Sequence, residues 1–176
     1  MTKSLVVYAS RYGSTKEVAQ AIADGLGADI ANVLDQPDVD AYGFVVVGSP
    51  IYSGSYLPAM QRFLRHNKAA LATKKVAAFI TAAADMQVQV GLTGEEDEQL
   101  FTQQDFADGL GRLTGGNVVS ARGFGGRLEV DKLDGPDRAA LEWLYHFLMH
   151  KPLEGFDLLD PASAYRWGED LRAMVG

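Results

Sequence analysis

The amino-acid sequence predicts an α/β fold in which helices cover both faces of a parallel β-sheet. Short runs that are apolar on both faces recur along the chain, as in the buried strands of parallel sheets. Segments with helical spacing of apolar residues lie between these runs. Strands that alternate with helices in this way form a doubly wound sheet with right-handed crossovers. Residues 1–176 are predicted to form a single domain, because no repeat, linker or low-complexity tract divides them.

Five apolar runs are predicted to be the strands of this sheet. Four of them are strongly apolar, whereas the second is weaker and precedes the turn-like sequence Asp35-Gln36-Pro37-Asp38. In chain order the runs are residues 5–9, 29–33, 44–47, 76–80 and 118–121.

Helices are predicted between the strands and after them. Residues 15–26 and 97–113 have apolar side chains at helical spacing, and Pro58 suits the first position of another helix. Asp160-Pro161 is typical of the start of a last helix. Residues 123–159 are too many for a simple connection. Residues 125–159 are predicted to be an insertion, a connector with one helix at about 136–149 on the cofactor side of the sheet.

Composition and charge exclude several function classes. The formal net charge of −7 argues against a nucleic-acid partner and against an anionic membrane surface. The chain has no cysteine, so any redox function requires a bound cofactor. No apolar run approaches the roughly 20 residues of a membrane span, and the N-terminal run is too short for a signal sequence. We therefore expect a cytoplasmic protein.

The loop after the first strand has the composition of a phosphate site. Its hydroxyl groups, its glycine and the N-terminus of the following helix all favour an anion, although an ordinary helix cap explains the same residues. Motifs for dinucleotides and for nucleoside triphosphates are absent, which favours a single terminal phosphate. The candidate residues are Ser10, Arg11, Tyr12, Gly13, Ser14 and Thr15.

Two further loops are predicted at the same edge of the sheet, where ligands bind in open parallel sheets. Apolar and aromatic residues after the third strand suit a flat ring, and small residues after the fourth leave backbone amides accessible. An ordinary turn and a helix start are the alternatives, and both stay open. The candidates are Pro50, Ile51, Tyr52, Ser53 and Gly54 after the third strand, and Thr81, Ala82, Ala83, Ala84 and Asp85 after the fourth.

The segments VVYASRYGSTKEVAQAIADGL and VVVGSPIYSG resemble the flavodoxin superfamily, and most closely its flavodoxin-type, quinone-dependent protoporphyrinogen oxidases. The resemblance implies a five-stranded sheet of order 2-1-3-4-5 and FMN as the cofactor. Ser10, Gly13 and Thr15 match the family's phosphate motif S/T-x-x-G-x-T. It also implies that residues 50–54 cover one side of the isoalloxazine ring and that residues 81–85 line its pyrimidine edge.

The function implied by this resemblance is an FMN-dependent oxidoreductase, a dehydrogenase of an apolar substrate such as protoporphyrinogen with a quinone as partner. The alternative is an electron carrier that docks on redox proteins, since an acidic surface steers basic partners. Many electron carriers of the family have an aromatic residue in the third loop, whereas this chain has alanines there. The insertion of the oxidases is basic, whereas that of this chain is acidic. The sequence identifies no catalytic residue.

The insertion and two charged clusters leave further alternatives. Its helix is apolar on nearly all sides, which predicts burial or else a contact with a second copy, a membrane surface or an apolar substrate. His146 and His150 have helical spacing but lack a third ligand, so we expect surface histidines and no metal. The acidic residues 95–98 are predicted to be a solvated helix start, although these carboxylates or Asp85 near a flavin would lower its potential.

Overall fold

A computed structural model describes residues 3–82, 88–89, 100–147 and 150–176. Its main sheet has five parallel strands: β1 (Ser4–Tyr8), β2 (Asp29–Asn32), β3 (Phe44–Tyr52), β4 (Lys75–Ala82) and β5 (Asn117–Gly125). The helices are α1 (Ser14–Leu26), α2 (Pro58–His66), α3 (Lys68–Leu71), α4 (Gln103–Thr114), α5 (Gly135–Phe147) and α6 (Pro161–Val175). Single 3₁₀ turns occupy Val33–Asp35, Val39–Ala41 and Val130–Lys132.

The strand order is β2-β1-β3-β4-β5, which confirms both the predicted order and the predicted fold class. Tyr8 at the end of β1 lies opposite Gly48 of β3, and Pro50 of β3 lies opposite Thr81 of β4. Because these pairs are parallel, the carboxyl ends of β1, β3 and β4 meet at one edge of the sheet. The first loop and the turn after β3 therefore begin at the edge where β4 ends, as the sequence predicts.

Helices cover both faces of the sheet, and alternate residues of each strand supply the two halves of the core. Val45 and Val47 of β3 pack toward α2, α3 and α4, whereas Phe44 and Val46 pack toward α1 and α6. All four of these side chains are fully buried. The doubly covered sheet explains why the strands read as continuous apolar runs.

Helices α1 and α6 pack with unusually close backbones. A Cβ atom on Gly25 would overlap the carbonyl oxygen of Tyr165, and one on Gly168 would overlap that of Ile22. Arg172 of α6 then donates hydrogen bonds to the carbonyl oxygens of Leu26 and Gly25, which lie in the last turn of α1. The position of α1, whose first turn follows β1, is therefore fixed by α6.

The predicted helix over residues 97–113 is wrong at its N-terminal end. Leu100–Phe101 pairs as a short antiparallel strand with Val88–Gln89, and α4 begins only at Gln103. Thr102 caps the helix, since its hydroxyl accepts from the N–H of Asp105 and the Asp105 carboxylate accepts from the N–H of Thr102. This capping box sets the start of the helix. Residues 95–98 lie outside the described residues.

The insertion after β5 is more regular than its sequence predicts. Arg127–Leu128 pairs antiparallel with Phe156–Asp157 and closes the base of the insertion. Helix α5 confirms the helix predicted at about 136–149 over its described residues. The Arg127 guanidinium contacts Asp157 and also Glu17 in the first turn of α1. In the part of the chain that the structure describes, no helix is long and apolar enough to cross a membrane.

Candidate functional site

The first loop leaves the N-terminus of α1 open. Gly13 takes the N-cap position with a φ of +100°, and no side chain caps the helix. The N–H of Gly13 donates to the Ser10 hydroxyl, which leaves the first N–H groups of α1, those of Ser14 and Thr15, directed out of the helix end. A Cβ atom on Gly13 would meet nothing within 4 Å. This arrangement forms an open, partly positive pocket that an anion fits.

Thr15 connects this loop to β4, which is separated from β1 by β3, and does not face solvent. Its hydroxyl forms a hydrogen bond of 2.8 Å with the hydroxyl of Thr81, and both residues are almost completely buried. The phosphate loop predicted after β1 and the end of β4 are thus directly connected.

Arg11 and Tyr12 point toward the insertion. The Arg11 guanidinium lies 2.7 Å from an Asp134 oxygen and 3.1 Å from an Asp137 oxygen, while the Tyr12 hydroxyl donates to Asp137. The N–H of Asp137 donates to Asp134, which caps α5. The N-terminal end of α5 is therefore attached to the first loop, where the sequence predicts only that the insertion lies on the cofactor side.

These contacts shift the ionisation of the groups that make them. The hydrogen bond from the N–H of Asp137 lowers the pKa of Asp134 most, and the hydrogen bond from Arg11 lowers it further. The hydrogen bond to Asp134 raises the pKa of Arg11, although burial opposes it. Asp134 is consequently charged over the whole neutral range, and Arg11 is engaged with α5.

The second loop differs from the prediction in where it begins. Residues 50–54 are predicted to form one loop, but Pro50, Ile51 and Tyr52 belong to β3, which extends beyond its apolar run. Only Ser53 and Gly54 turn, with φ values of +48° and +71°. Positive φ at both positions is typical of a type I′ hairpin, here leading into Ser55–Tyr56, which pairs back on β3. Ile51 is buried in the core, and its predicted contact with a ring stays a prediction.

Tyr52 is a partly exposed aromatic residue at this edge. Its side chain is 37% exposed, and its ring meets that of Tyr12 edge-on at 6.4 Å. Desolvation, with Tyr12 and Asp137 nearby, raises the pKa of Tyr52 to about 12. Tyr52 is thus a neutral, partly exposed ring beside the first loop.

The third predicted loop is described only at its start. Thr81 and Ala82 are the last residues of β4, and both are buried. Ala83, Ala84 and Asp85 lie outside the described residues, so their predicted contact with a ring stays a prediction.

The aromatic side chains of α5 are exposed, although burial is one of the outcomes that the sequence predicts for them. Trp143 is 58% and Phe147 59% exposed, their rings are 5.7 Å apart, and no described residue of α5 is buried. The burial alternative is therefore wrong for these side chains. An open cavity of about 470 Å³ at the C-terminal end of α5 is lined by His146, Phe147, His150, Lys151 and Pro152.

The two histidines do not share a helix as their spacing predicts. α5 ends at Phe147, and His150 follows it with a φ of +50°. Across the described ranges, no group of three His, Cys, Asp or Glu side chains is placed to hold a metal ion.

Asp134 and Asp137 contact the first loop, although the sequence does not predict them as site residues. Asp134-Gly135-Pro136-Asp137 carries the signature of a helix start, which a reading of the sequence can detect. Their partner Arg11 lies 123 residues from Asp134, and no local pattern connects the two.

Known proteins resemble this chain in fold and, over a shorter stretch, in sequence. A flavodoxin from the domain Archaea aligns over 98% of both chains with a TM-score of 0.60 and 21% identity. A flavoprotein from Lactobacillus acidophilus, solved in complex with FMN, aligns over 70% of this chain and 93% of its own with a TM-score of 0.52 and 18% identity. Protoporphyrinogen IX dehydrogenase [quinone] from Escherichia coli K12 is 36% identical over 70 residues, which cover 36% of this chain and 39% of that relative.

The first loop fits the phosphate group of FMN, the molecule with which the Lactobacillus acidophilus flavoprotein was solved. Gly13 leaves space where any other residue would place a Cβ atom, and no side chain caps the N-terminus of α1 that follows it. A helix N-terminus of this kind binds phosphate groups.

A family model described as "Flavodoxin domain" matches residues 5–151, which include the five strands apart from Ser4, α1 to α5 and the first loop. The strand order, the two helical layers and the open first loop agree with this match. The chain therefore belongs to the flavodoxin domain family.

Proposed function

We propose that this chain is an FMN-dependent oxidoreductase that dehydrogenates a bulky apolar substrate, with protoporphyrinogen as the first candidate and a quinone as the electron acceptor. The observation that carries the proposal is the placement of α5. Its first turn is bound to the phosphate loop through Arg11, and its aromatic side chains are exposed to solvent. An apolar substrate that enters beside the cofactor would meet this surface.

In this proposal the first loop holds the phosphate of FMN. The N–H groups at the start of α1 and the Ser10 and Ser14 hydroxyls donate to it, while Gly13 leaves room for it. Tyr52 and the turn at Ser53 and Gly54 flank the ring, and Ala82 to Asp85 are expected at its edge. FMN supplies the redox chemistry when bound, and the protein supplies orientation and electrostatics.

The exposed face of α5 suits a substrate that is apolar over most of its area and carries carboxylates. Trp143 and Phe147 offer two neighbouring rings, and the adjacent cavity is bordered by Lys151 and two histidines. Protoporphyrinogen has this composition, a tetrapyrrole body with two propionates. The similarity to protoporphyrinogen IX dehydrogenase, a match over 39% of that relative, supports the same substrate class.

Anaerobic reduction of the bound flavin tests this proposal. The FMN-loaded protein is mixed with protoporphyrinogen IX, and loss of the flavin's visible absorbance is followed with time. We expect reduction by the wild type and a rate at least about tenfold lower for the double variant Trp143→Ser/Phe147→Ser, since each ring contributes a large apolar contact. FMN affinity should be unchanged in that variant.

The matched control is the double variant Leu113→Ser/Met174→Ser, which removes two apolar side chains of similar exposure, 50% and 51%, on α4 and α6. It should reduce at the wild-type rate. Light scattering at two concentrations shows whether the α5 variant instead loses self-association. If Trp143→Ser/Phe147→Ser leaves both the rate of flavin reduction and the mass in solution unchanged, α5 has no part in the proposed function.

The second candidate is an electron carrier, and the net charge of −7 favours it. An acidic carrier is steered toward basic redox proteins at rates that fall steeply with ionic strength. A stepwise reductive titration separates the two functions. Uptake of electrons in two well-resolved single steps, with no reduction by protoporphyrinogen, would favour the carrier.

A further inference from the structure

The hydroxyl groups of Thr15 and Thr81 form a buried pair between the phosphate loop and the sheet. Their oxygens are 2.8 Å apart, and the residues are 1% and 2% exposed. Thr15 is the second residue of α1, and Thr81 is the last but one of β4. The pair therefore bridges two elements that are 66 residues apart in sequence and lie side by side at the cofactor edge.

The strand register explains why Thr81 points toward α1. Side chains alternate between the faces of a strand, so Thr81 shares a face with Phe79. Phe79 packs in the half of the core that contains Val18 and Ile22 of α1. Thr81 thus reaches the first turn of α1 from the face on which that helix lies.

The pair holds one more donor than its hydrogen bond uses. Two hydroxyls carry two protons, and the bond between them takes one. Within the described part of the chain, neither hydroxyl has a second hydrogen-bond partner. A buried donor without an acceptor is costly, so this proton favours an acceptor brought to the uncapped end of α1.

We infer that Thr81 is a positioning residue for the phosphate of FMN. Its hydroxyl donates to the Thr15 oxygen, which leaves the Thr15 proton free to be donated to a phosphate oxygen. The inference rests on the proposed function, since it requires that FMN binds at the first loop. It assigns Thr81 a role at the phosphate, whereas the sequence predicts that this residue lines the ring edge.

The test compares two ligands that differ only in the phosphate. Dissociation constants of FMN and riboflavin are measured by flavin fluorescence for the wild type, Thr81→Val and the conservative Thr81→Ser. For Thr81→Val we expect FMN to bind about 5- to 30-fold more weakly, the effect of one buried hydrogen bond, and riboflavin to bind within about twofold of the wild type. Thr81→Ser keeps the hydroxyl and should bind both ligands as the wild type does.

A double-mutant cycle with Thr15→Val completes the test, because Thr81 acts only through Thr15. In the Thr15→Val background, Thr81→Val should weaken FMN binding no further. Thr81→Ala replaces Thr81→Val if the latter does not fold.

Three results overturn the inference. They are unchanged FMN affinity in Thr81→Val, equal weakening of FMN and riboflavin, which would indicate a packing role, and additive losses in the double variant. If the wild type itself does not bind FMN, the proposed function fails and the inference fails with it. If the wild type binds FMN and Thr81→Val binds it equally well, the inference alone fails.

Discussion

Substitutions at Gly13 allow the effect of backbone strain on stability to be measured separately from the effect of ligand contact on FMN binding. Its φ of +100° is unfavourable for an L-residue, whereas the space around its missing Cβ atom is open. Gly13→Ala therefore introduces no steric clash in the free protein, and its cost is conformational, about 1–2 kcal/mol. For a chain of 176 residues, this corresponds to a decrease of roughly 2–8 °C in the melting temperature.

A glycine at the other end of the same helix provides the control. Gly27 caps α1 at its C-terminus with a φ of +72°, and a Cβ atom there would approach only the flexible side chain of Arg172, at 3.3 Å. Gly27→Ala should lose a similar free energy of unfolding. It lies at the end of α1 away from the first loop, so its FMN affinity should not change.

The two variants differ once FMN is added. In Gly13→Ala the new methyl group occupies the space that we assign to the phosphate, so FMN should bind about tenfold or more weakly. Gly13→Asp should abolish binding, because a carboxylate then stands in the anion site. Thermal unfolding of the free protein and fluorescence titration with FMN measure the two effects separately. Wild-type FMN affinity in Gly13→Ala, or an equal loss in Gly27→Ala, would refute this account of the first loop.

Two further predictions concern how α1 and α5 are held. Arg172→Ala should lower the free energy of unfolding by about 1–2 kcal/mol in urea, because the guanidinium no longer caps the carbonyl oxygens at the end of α1, whereas exposed Arg166→Ala should not. The pKa of Asp134 is lowered in the folded chain from its ordinary value of 3.8. The stability that its ion pair with Arg11 contributes should therefore be complete above pH 3.8 and be lost as the pH falls through the lower, folded-state pKa. The pH dependence of unfolding between pH 6 and 3 should therefore be flatter in Asp134→Asn, and an identical profile would contradict this.

The sequence predicts the fold because its signals are local. The apolar runs of β1, β3 and β4 and the spacing in α1 follow from burial on both faces of the sheet. The extension of β3 beyond Val47 is not readable in this way, since Gly48, Ser49 and Pro50 have the composition of a turn. The ring of Phe79 occupies the space beside Gly48 and keeps this segment in the sheet, and that contact depends on a strand 31 residues away.

The candidate site likewise has one part that local sequence predicts and other parts that depend on long-range contacts. The first loop is predictable because a glycine and hydroxyls at the exit of a strand suffice to indicate an anion site. The pairing of Thr15 with Thr81 and that of Arg11 with Asp134 and Asp137 are not, since each joins segments that meet only in the folded chain. Exposure of Trp143 and Phe147 is likewise a tertiary outcome, because an apolar helix has the same sequence whether it is covered or not.

The exposure of helix α5 has a consequence for local unfolding of the chain. Within Gly135–Phe147 no residue is buried, and the contacts of its first turn with the first loop are polar and partly exposed. Such contacts are weakened by salt, and an element that has no fully buried residue can unfold locally at a small fraction of the global free energy. The amide hydrogens of α5 should therefore exchange with solvent independently of the sheet. Evolution can then alter the residues presented on α5 with little effect on the stability of the core.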